Sequence, residues 1–213
     1  MKVFWMDTET SGTDPKKHGL IQIGYIVEID YKQISTGNIF IDPTEYGKEL
    51  DPEALKYNGI TPAEIKEKST PIREVWLEIN KMLGAYVDRY DRNDKFVVGG
   101  HNVQFDIDFL QALWDYFGDK YFYSYFQIGT SIDTKKLASW WMWTGGFVTD
   151  PASTKLMDIA IALDVEMHGN EHDALFDITL TRDCALAMKE RTIYRLRDIE
   201  TSEMDLPAFL KKD

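Results

Sequence analysis

Two carboxylates, Asp7 and Glu9, stand one residue apart in Asp7-Thr8-Glu9-Thr10, directly behind the unbroken apolar run Val3-Phe4-Trp5-Met6. A run of that kind reads as a buried strand. Successive side chains of a strand point to opposite faces, so Asp7 and Glu9 share one face if the strand persists through them. Like charges held so close repel, and each resists burial unless a cation neutralises them. An Asp-x-Glu pair is equally compatible with a strand that ends in a polar turn. The remaining acids of the chain decide between the two.

Asp106 closes the stretch His101-Asn102-Val103-Gln104-Phe105-Asp106, at the junction of a short buried strand and a helix. Counting on from it at helical spacing gives Phe109, Leu110, Leu113 and Phe117, a single apolar face. Asp106 therefore opens the face that packs into the core. A carboxylate there needs a helix N-terminus, a basic residue or a metal, and capping the helix is one way to meet that need. The last helix repeats the pattern: Asp177 heads a largely apolar face of Leu180, Thr181, Cys184 and Met188. His172 stands five residues earlier and off that face, after Gly169-Asn170-Glu171. A histidine on such a loop can reach into a site, or remain an ordinary surface residue.

The elements that must position these groups follow from the hydrophobic pattern. A second strand spans Leu20 to Ile29, and Tyr31-Lys32 turns it into a third that ends near Ile41, ahead of Pro43. Short links favour an antiparallel meander. Asp51-Pro52 starts a short helix stopped at Asn58-Gly59, and Thr61-Pro62-Ala63-Glu64 matches a capping box. Thr70-Pro71 opens a helix with Val75, Ile79, Met82, Leu83 and Tyr86 at helical spacing. Phe96 to Gly100 is a short buried strand. An aromatic-rich connection runs from Gly118 to Gly129, Ser131 to Thr134 ends a last strand, and a helix follows from Lys135 to Gly145-Gly146. Two further helices lie near Ser153–Leu163 and Ala174–Met188. No linker or repeat divides the chain, so an α/β domain over residues 1–190, followed by a C-terminal helix or tail over 191–213, is expected.

At 213 residues and 44% hydrophobic, the chain can bury a substantial core. The single cysteine, Cys184, excludes an intrachain disulfide and suits a reducing compartment. No stretch is long and apolar enough to cross a membrane, and Met1-Lys2-Val3 leads into a strand; a cytoplasmic protein is expected. A net charge of -12 argues against broad electrostatic capture of long nucleic acid. It does not exclude a nucleic-acid enzyme, because acids clustered around divalent cations can attract phosphate locally.

Taken together, the three segments Asp7-Thr8-Glu9-Thr10, His101 to Asp106, and His172-Asp173-Ala174-Leu175-Phe176-Asp177 resemble, in order, the signatures of the DEDDh family of 3′–5′ exonucleases. Gln22-Ile23-Gly24, Asn58-Gly59-Ile60-Thr61 and Ile132-Asp133-Thr134 resemble secondary features of the same family. The resemblance covers roughly residues 3 to 188. It implies a ribonuclease H-like fold, a mixed central sheet flanked by helices. It also implies that Asp7, Glu9, Asp106 and Asp177 hold two Mg²⁺ or Mn²⁺ ions, for which oxygen ligands are suited. By the same resemblance His172 is the general base, Thr10 and Asn102 lie beside the terminal nucleotide, and Phe105 shapes its pocket. Thr10 could instead satisfy turn backbone, and Phe105 could be core. Ile178 departs from the family pattern, which often has alanine there, and removes no catalytic group.

The expected activity is release of nucleoside 5′-monophosphates from single-stranded or frayed 3′ ends, of DNA in the first instance. An RNA exonuclease of the same family is the alternative, and a catalytically inactive binding module is a rival of another class. Trp140-Trp141-Met142-Trp143 could stack bases, pack in the core or contact a second copy. Lys189, Arg191, Arg195 and Arg197 could guide a strand or complement a helix end. Glu203 to Phe209 loosely resembles a sliding-clamp-binding peptide, and proofreading would need a separate polymerase partner.

Overall fold

The computed structural model describes residues 1–169 and 172–201, of which 128 and 195–201 are described by backbone alone. Among the described residues, five strands form one mixed sheet in the order β3-β2-β1-β4-β5. β1 (Lys2–Thr10), β2 (Leu20–Ile29) and β3 (Lys32–Phe40) make the antiparallel meander expected from their short links. β4 (Phe96–Gly100) and β5 (Phe126–Asp133) run parallel to β1.

β1 is the central strand, and its apolar residues explain why. Phe4 and Met6 point to one face of the sheet and join Ile23, Val75, Ile79, Phe109 and Leu113 in the largest core cluster. Val3 and Trp5 point to the other, where they meet Ile26 and Ile178. Each side chain of that size, fully buried, contributes about 1.5–3 kcal/mol, which anchors the strand that carries the acids. Both α3 (Ile72–Tyr86) and α4 (Gln104–Tyr116) supply residues to the first face. The second is covered by α7 (Ala174–Thr201), on which α5 (Thr134–Thr144) and α6 (Leu156–Leu163) pack through Trp141, Ile159, Leu163 and Leu180. Ile178 is thus a core residue between α7 and β1.

The local signals act as their chemistry requires. α1 (Pro52–Asn58) is capped by Asp51 and stopped by Gly59 at φ 66°. α2 (Pro62–Lys68) carries both halves of the capping box between Thr61 and Glu64. β5 begins at Phe126, inside the stretch expected to be a connection, because Phe126 packs against Phe4 in the core. α7 runs unbroken across residue 190, so no structural boundary falls there; residues 202–213, with the clamp-like segment, lie outside the described residues.

The tryptophan-rich stretch divides by position on α5: Trp141 is buried in the core, whereas Trp140 and Trp143 are exposed. Two cations of the basic cluster are engaged within the chain. Lys189 stands 3.2 Å over the Tyr31 ring and Arg191 donates to the Leu163 carbonyl at 2.5 Å; the side chains of Arg195 and Arg197 lie outside the described ones. Among the described residues no helix is long and apolar enough to cross a membrane.

Candidate active site

The strand does persist through the acids. β1 continues to Thr10, but its ladder with β4 ends at Trp5↔Gly99. Residues Asp7 to Thr10 therefore run past β4, paired on β2 alone, and leave one edge of the central strand open. Alternation then distributes the side chains. Asp7 and Glu9 continue the row of Val3 and Trp5, toward α7, and Thr8 continues the row of Phe4 and Met6, toward α4.

Each row meets a carboxylate. On the α4 side, Asp106 is buried and its Oδ1 accepts two hydrogen bonds from Thr8, one from the backbone N–H at 2.9 Å and one from the hydroxyl at 2.7 Å. The Thr8 N–H lies on the edge that β4 no longer covers, and Asp106 satisfies it. On the α7 side, the approach is made by a glycine. Gly24 is the partner of Asp7 in the β1–β2 ladder, and a Cβ built on it would come within 2.2 Å of the Ala174 carbonyl carbon. The first turn of α7 thus lies against the sheet beside Asp7. Asp173 caps that turn, its Oδ1 accepting from the N–H groups of Leu175 and Phe176, both at 3.1 Å. Its Oδ2 accepts from Gln22 at 3.2 Å and Asn38 at 3.5 Å, which ties the cap to β2 and β3.

His172 sits just before this cap in a left-handed conformation, φ 68°, and its backbone N–H donates to Asp177 Oδ2 at 3.1 Å. Its ring rests on Tyr57 of α1, centroids 4.7 Å apart. Ligand atoms of Glu9, His172 and Asp177 all fall within 4.8 Å of one another. Asp7 and Asp106 stand outside that trio, yet the acids feel each other. Burial first, then the charge of Asp106, holds the Asp7 carboxyl well above the usual carboxylate range, and Glu9 and Asp177 add to it. Burial and the charges of Asp177 and Asp106 push Glu9 up to about 8. Asp106 is pushed to about 7 by burial, with the two Thr8 hydrogen bonds pulling the other way.

These groups open into a cleft of about 480 Å³ lined by Asp7, Glu9, Thr10, Tyr57, Phe105 and His172, among others, with no lysine or arginine among its described lining residues. Oxygen donors and mutual repulsion fit a hard divalent cation. Of the residues expected near a substrate, Thr10 and Phe105 line the cleft; Asn102 does not. Asn102 is exposed, at φ 62°, and its N–H donates to Asp133 Oδ1 at 3.0 Å. The Thr10 hydroxyl satisfies turn backbone, donating to the Gly12 carbonyl at 2.8 Å, and Phe105 packs on Phe109, ring centroids 4.9 Å apart, while bordering the cleft. The sequence offered no reason to single out Tyr57. Its sequence neighbour Asn58, read as a helix stop, also donates to the Thr10 carbonyl at 3.1 Å and fixes α1 as a wall of the cleft.

The exonuclease family model of the ribonuclease T type matches residues 4–183. The chain belongs to this exonuclease family. Within it, ribonuclease T of Shewanella baltica is 30% identical over 110 residues, 49% of this chain and 48% of that protein. Ribonuclease T of Haemophilus influenzae is 26% identical over 192 residues, 84% of this chain and 75% of that protein. The exonuclease chain thus spans about half the length of the first of these relatives. Among solved structures, Escherichia coli exonuclease I bound to a dT13 oligonucleotide superposes with a TM-score of 0.69 at 23% identity, over 93% of this chain and 43% of that one. The ribonuclease H-like architecture expected from the three signatures is the one observed.

Proposed function

We propose that this exonuclease domain removes nucleoside 5′-monophosphates one at a time from the 3′ ends of single-stranded nucleic acid, with divalent cations held by Asp7, Glu9, Asp106 and Asp177. The observation that carries the proposal is the meeting of three separate elements, β1, α4 and α7, at one set of mutually repelling acids, of which Glu9 and Asp106 are buried and Asp7 and Asp177 half-buried. Two Mg²⁺ or Mn²⁺ ions would supply Lewis-acid stabilisation of the phosphate and of the departing oxygen.

The chain's own residues do the rest. Asp7 and Glu9 are presented on one face of a strand fixed in the core, so their spacing does not depend on a loop. Thr8 fixes the rotation of Asp106 by gripping one of its oxygens twice. His172 is the base that takes the proton of the attacking water: its ring is steered by Tyr57 on one side, and its backbone by Asp177 on the other. Thr10 and Phe105 border the space for the terminal nucleoside, a position for a sugar contact and an apolar surface for a base. The close approach of His172 to Glu9 and Asp177 is the geometry in which a base lies next to bound cations.

DNA is the first substrate we assign, since E. coli exonuclease I, whose fold matches over nearly the whole chain, binds dT13. The ribonuclease T relatives favour the second, RNA 3′ ends. Side-by-side digestion of 3′-labelled DNA and RNA oligonucleotides of one sequence separates them: faster release from DNA supports the first, and preferential release from RNA replaces it with the second.

A further inference from the structure

A second cleft adjoins the first. It shares Asp7, Tyr57, His172 and Asp177 with it, and continues on the far side of these residues along His101, Lys155 and Met157. The shared residues are those placed at the bond to be broken. If Thr10 and Phe105 border the terminal nucleoside in the first cleft, the rest of the strand must leave through the second.

Among the described residues lining either cleft, Lys155 alone carries an ammonium or guanidinium group. Its side chain is exposed, and no carboxylate among the described residues forms an ion pair with it. The segment that presents it is built. Ser153 bonds the Asp158 carboxylate and accepts the Lys155 N–H at 3.1 Å, and the Lys155 carbonyl accepts from Ile159 in the first turn of α6. On the side of the sheet, the His101 ring bonds Thr134 Oγ1 at 2.8 Å and the backbone of Thr154. One histidine thus ties the segment carrying Lys155 to the start of α5, beside the acids.

We propose that Lys155 is a substrate-binding residue that contacts a backbone phosphate on the 5′ side of the scissile bond, and that the second cleft is the channel of the retained strand. This rests on the exonuclease function proposed above. A chain of net charge -12 repels a polyanion at long range, and the phosphate at the reaction centre is the one the bound cations neutralise. The next phosphate along the strand lies beyond them and needs a cation of its own. Lys155 is in place to supply it, as a compact charge on a flexible stem that tracks a backbone rather than reads a base.

The test compares two substrates in Lys155→Ala, Lys155→Glu and Lys155→Arg: a single-stranded oligonucleotide, and the p-nitrophenyl ester of a nucleoside 5′-monophosphate, which fills the first cleft but has no phosphate in the second. For Lys155→Ala, the ratio of kcat/KM on the oligonucleotide to that on the ester is expected to fall about tenfold, as for loss of one charge-assisted contact. The slope of log(kcat/KM) on the oligonucleotide against log of salt concentration is expected to flatten by about 0.7. Lys155→Glu should lower the ratio further, and Lys155→Arg should restore it. An unchanged ratio and salt slope in Lys155→Ala, or equal losses on both substrates, would overturn the assignment. Wild-type protein that releases product from neither substrate would instead overturn the exonuclease function, and the assignment of Lys155 with it.

Discussion

Thr8 and Asp106 meet across 98 residues of sequence, with the backbone N–H and the hydroxyl of Thr8 both ending on Oδ1 of the carboxylate. The contact exists because β1 outruns β4 and leaves the Thr8 N–H without a ladder partner. It fixes a buried acid in one orientation while its neighbours repel it. Thr8→Val keeps the backbone bond and removes the other. We expect it to weaken binding of the activating cation by about 10–100-fold, in line with loss of a ligand's supporting hydrogen bond. Mn²⁺ titration by calorimetry checks this, and Thr8→Ser should recover most of the loss.

The metal-free protein should be less stable at alkaline pH. The folded forms of Glu9 and Asp106 hold protons up to about 8 and about 7, and Asp7 is raised as well, whereas in the unfolded chain such groups titrate near 4.5 and 3.8. Groups raised on folding contribute stability that is full below the unfolded values and is lost as pH rises through the folded ones. In EDTA, Tm should therefore drop between pH 5 and about 8. Saturating Mg²⁺ or Mn²⁺ at pH 8 should reverse the drop, and Asp7→Asn should flatten it. A Tm that rises over this range in EDTA would show that the acids are not raised.

Gly24 admits the first turn of α7. Its missing Cβ is occupied by the Ala174 backbone, which cannot yield as a flexible side chain can. We expect Gly24→Ala to cost about 1–3 kcal/mol of stability, as overpacking does, and to displace His172 and Asp177 together. Urea unfolding gives the first effect and the kcat of folded protein the second, and the loss in kcat should exceed what unfolding explains.

How much of this was legible in the sequence depends on the range of the interactions. Asp106 and Asp177 could be found because each heads an apolar helical face, a local pattern that survives any tertiary arrangement. The caps at Asp51 and Thr61 were readable for the same reason. Tyr57 was not: nothing in its own helix says that α1 will lie under His172. Nor could alternation along β1 be assigned to particular helices before the sheet order was known, so the pairing of Thr8 with Asp106, and of Asp7 and Glu9 with α7, was hidden. Asn102 fits the signature by position, but its side chain stands outside the cleft lining because the residue turns through a positive φ to bond Asp133.

The half-buried Arg182 forms an ion pair at 2.6 Å with the buried Glu28, between α7 and β2 and away from the cleft. With Glu28 only 2% exposed, removing its partner leaves an uncompensated buried charge. Arg182→Ala should lower stability by about 3–5 kcal/mol. The double variant Glu28→Met/Arg182→Leu should regain most of it, and denaturant unfolding of the three proteins decides.

The central claim is that the acids of β1, α4 and α7 form one hydrolytic site acting from the 3′ end. The most direct measurement is a time course on a 5′-labelled single-stranded oligonucleotide with Mn²⁺, run with wild-type protein and with Asp7→Asn. The expected result for the wild type is a ladder shortening from the 3′ end with nucleoside 5′-monophosphates as product, and for Asp7→Asn, which keeps the fold, no shortening. A ladder of equal rate from Asp7→Asn, or internal cuts in place of stepwise shortening, would contradict it.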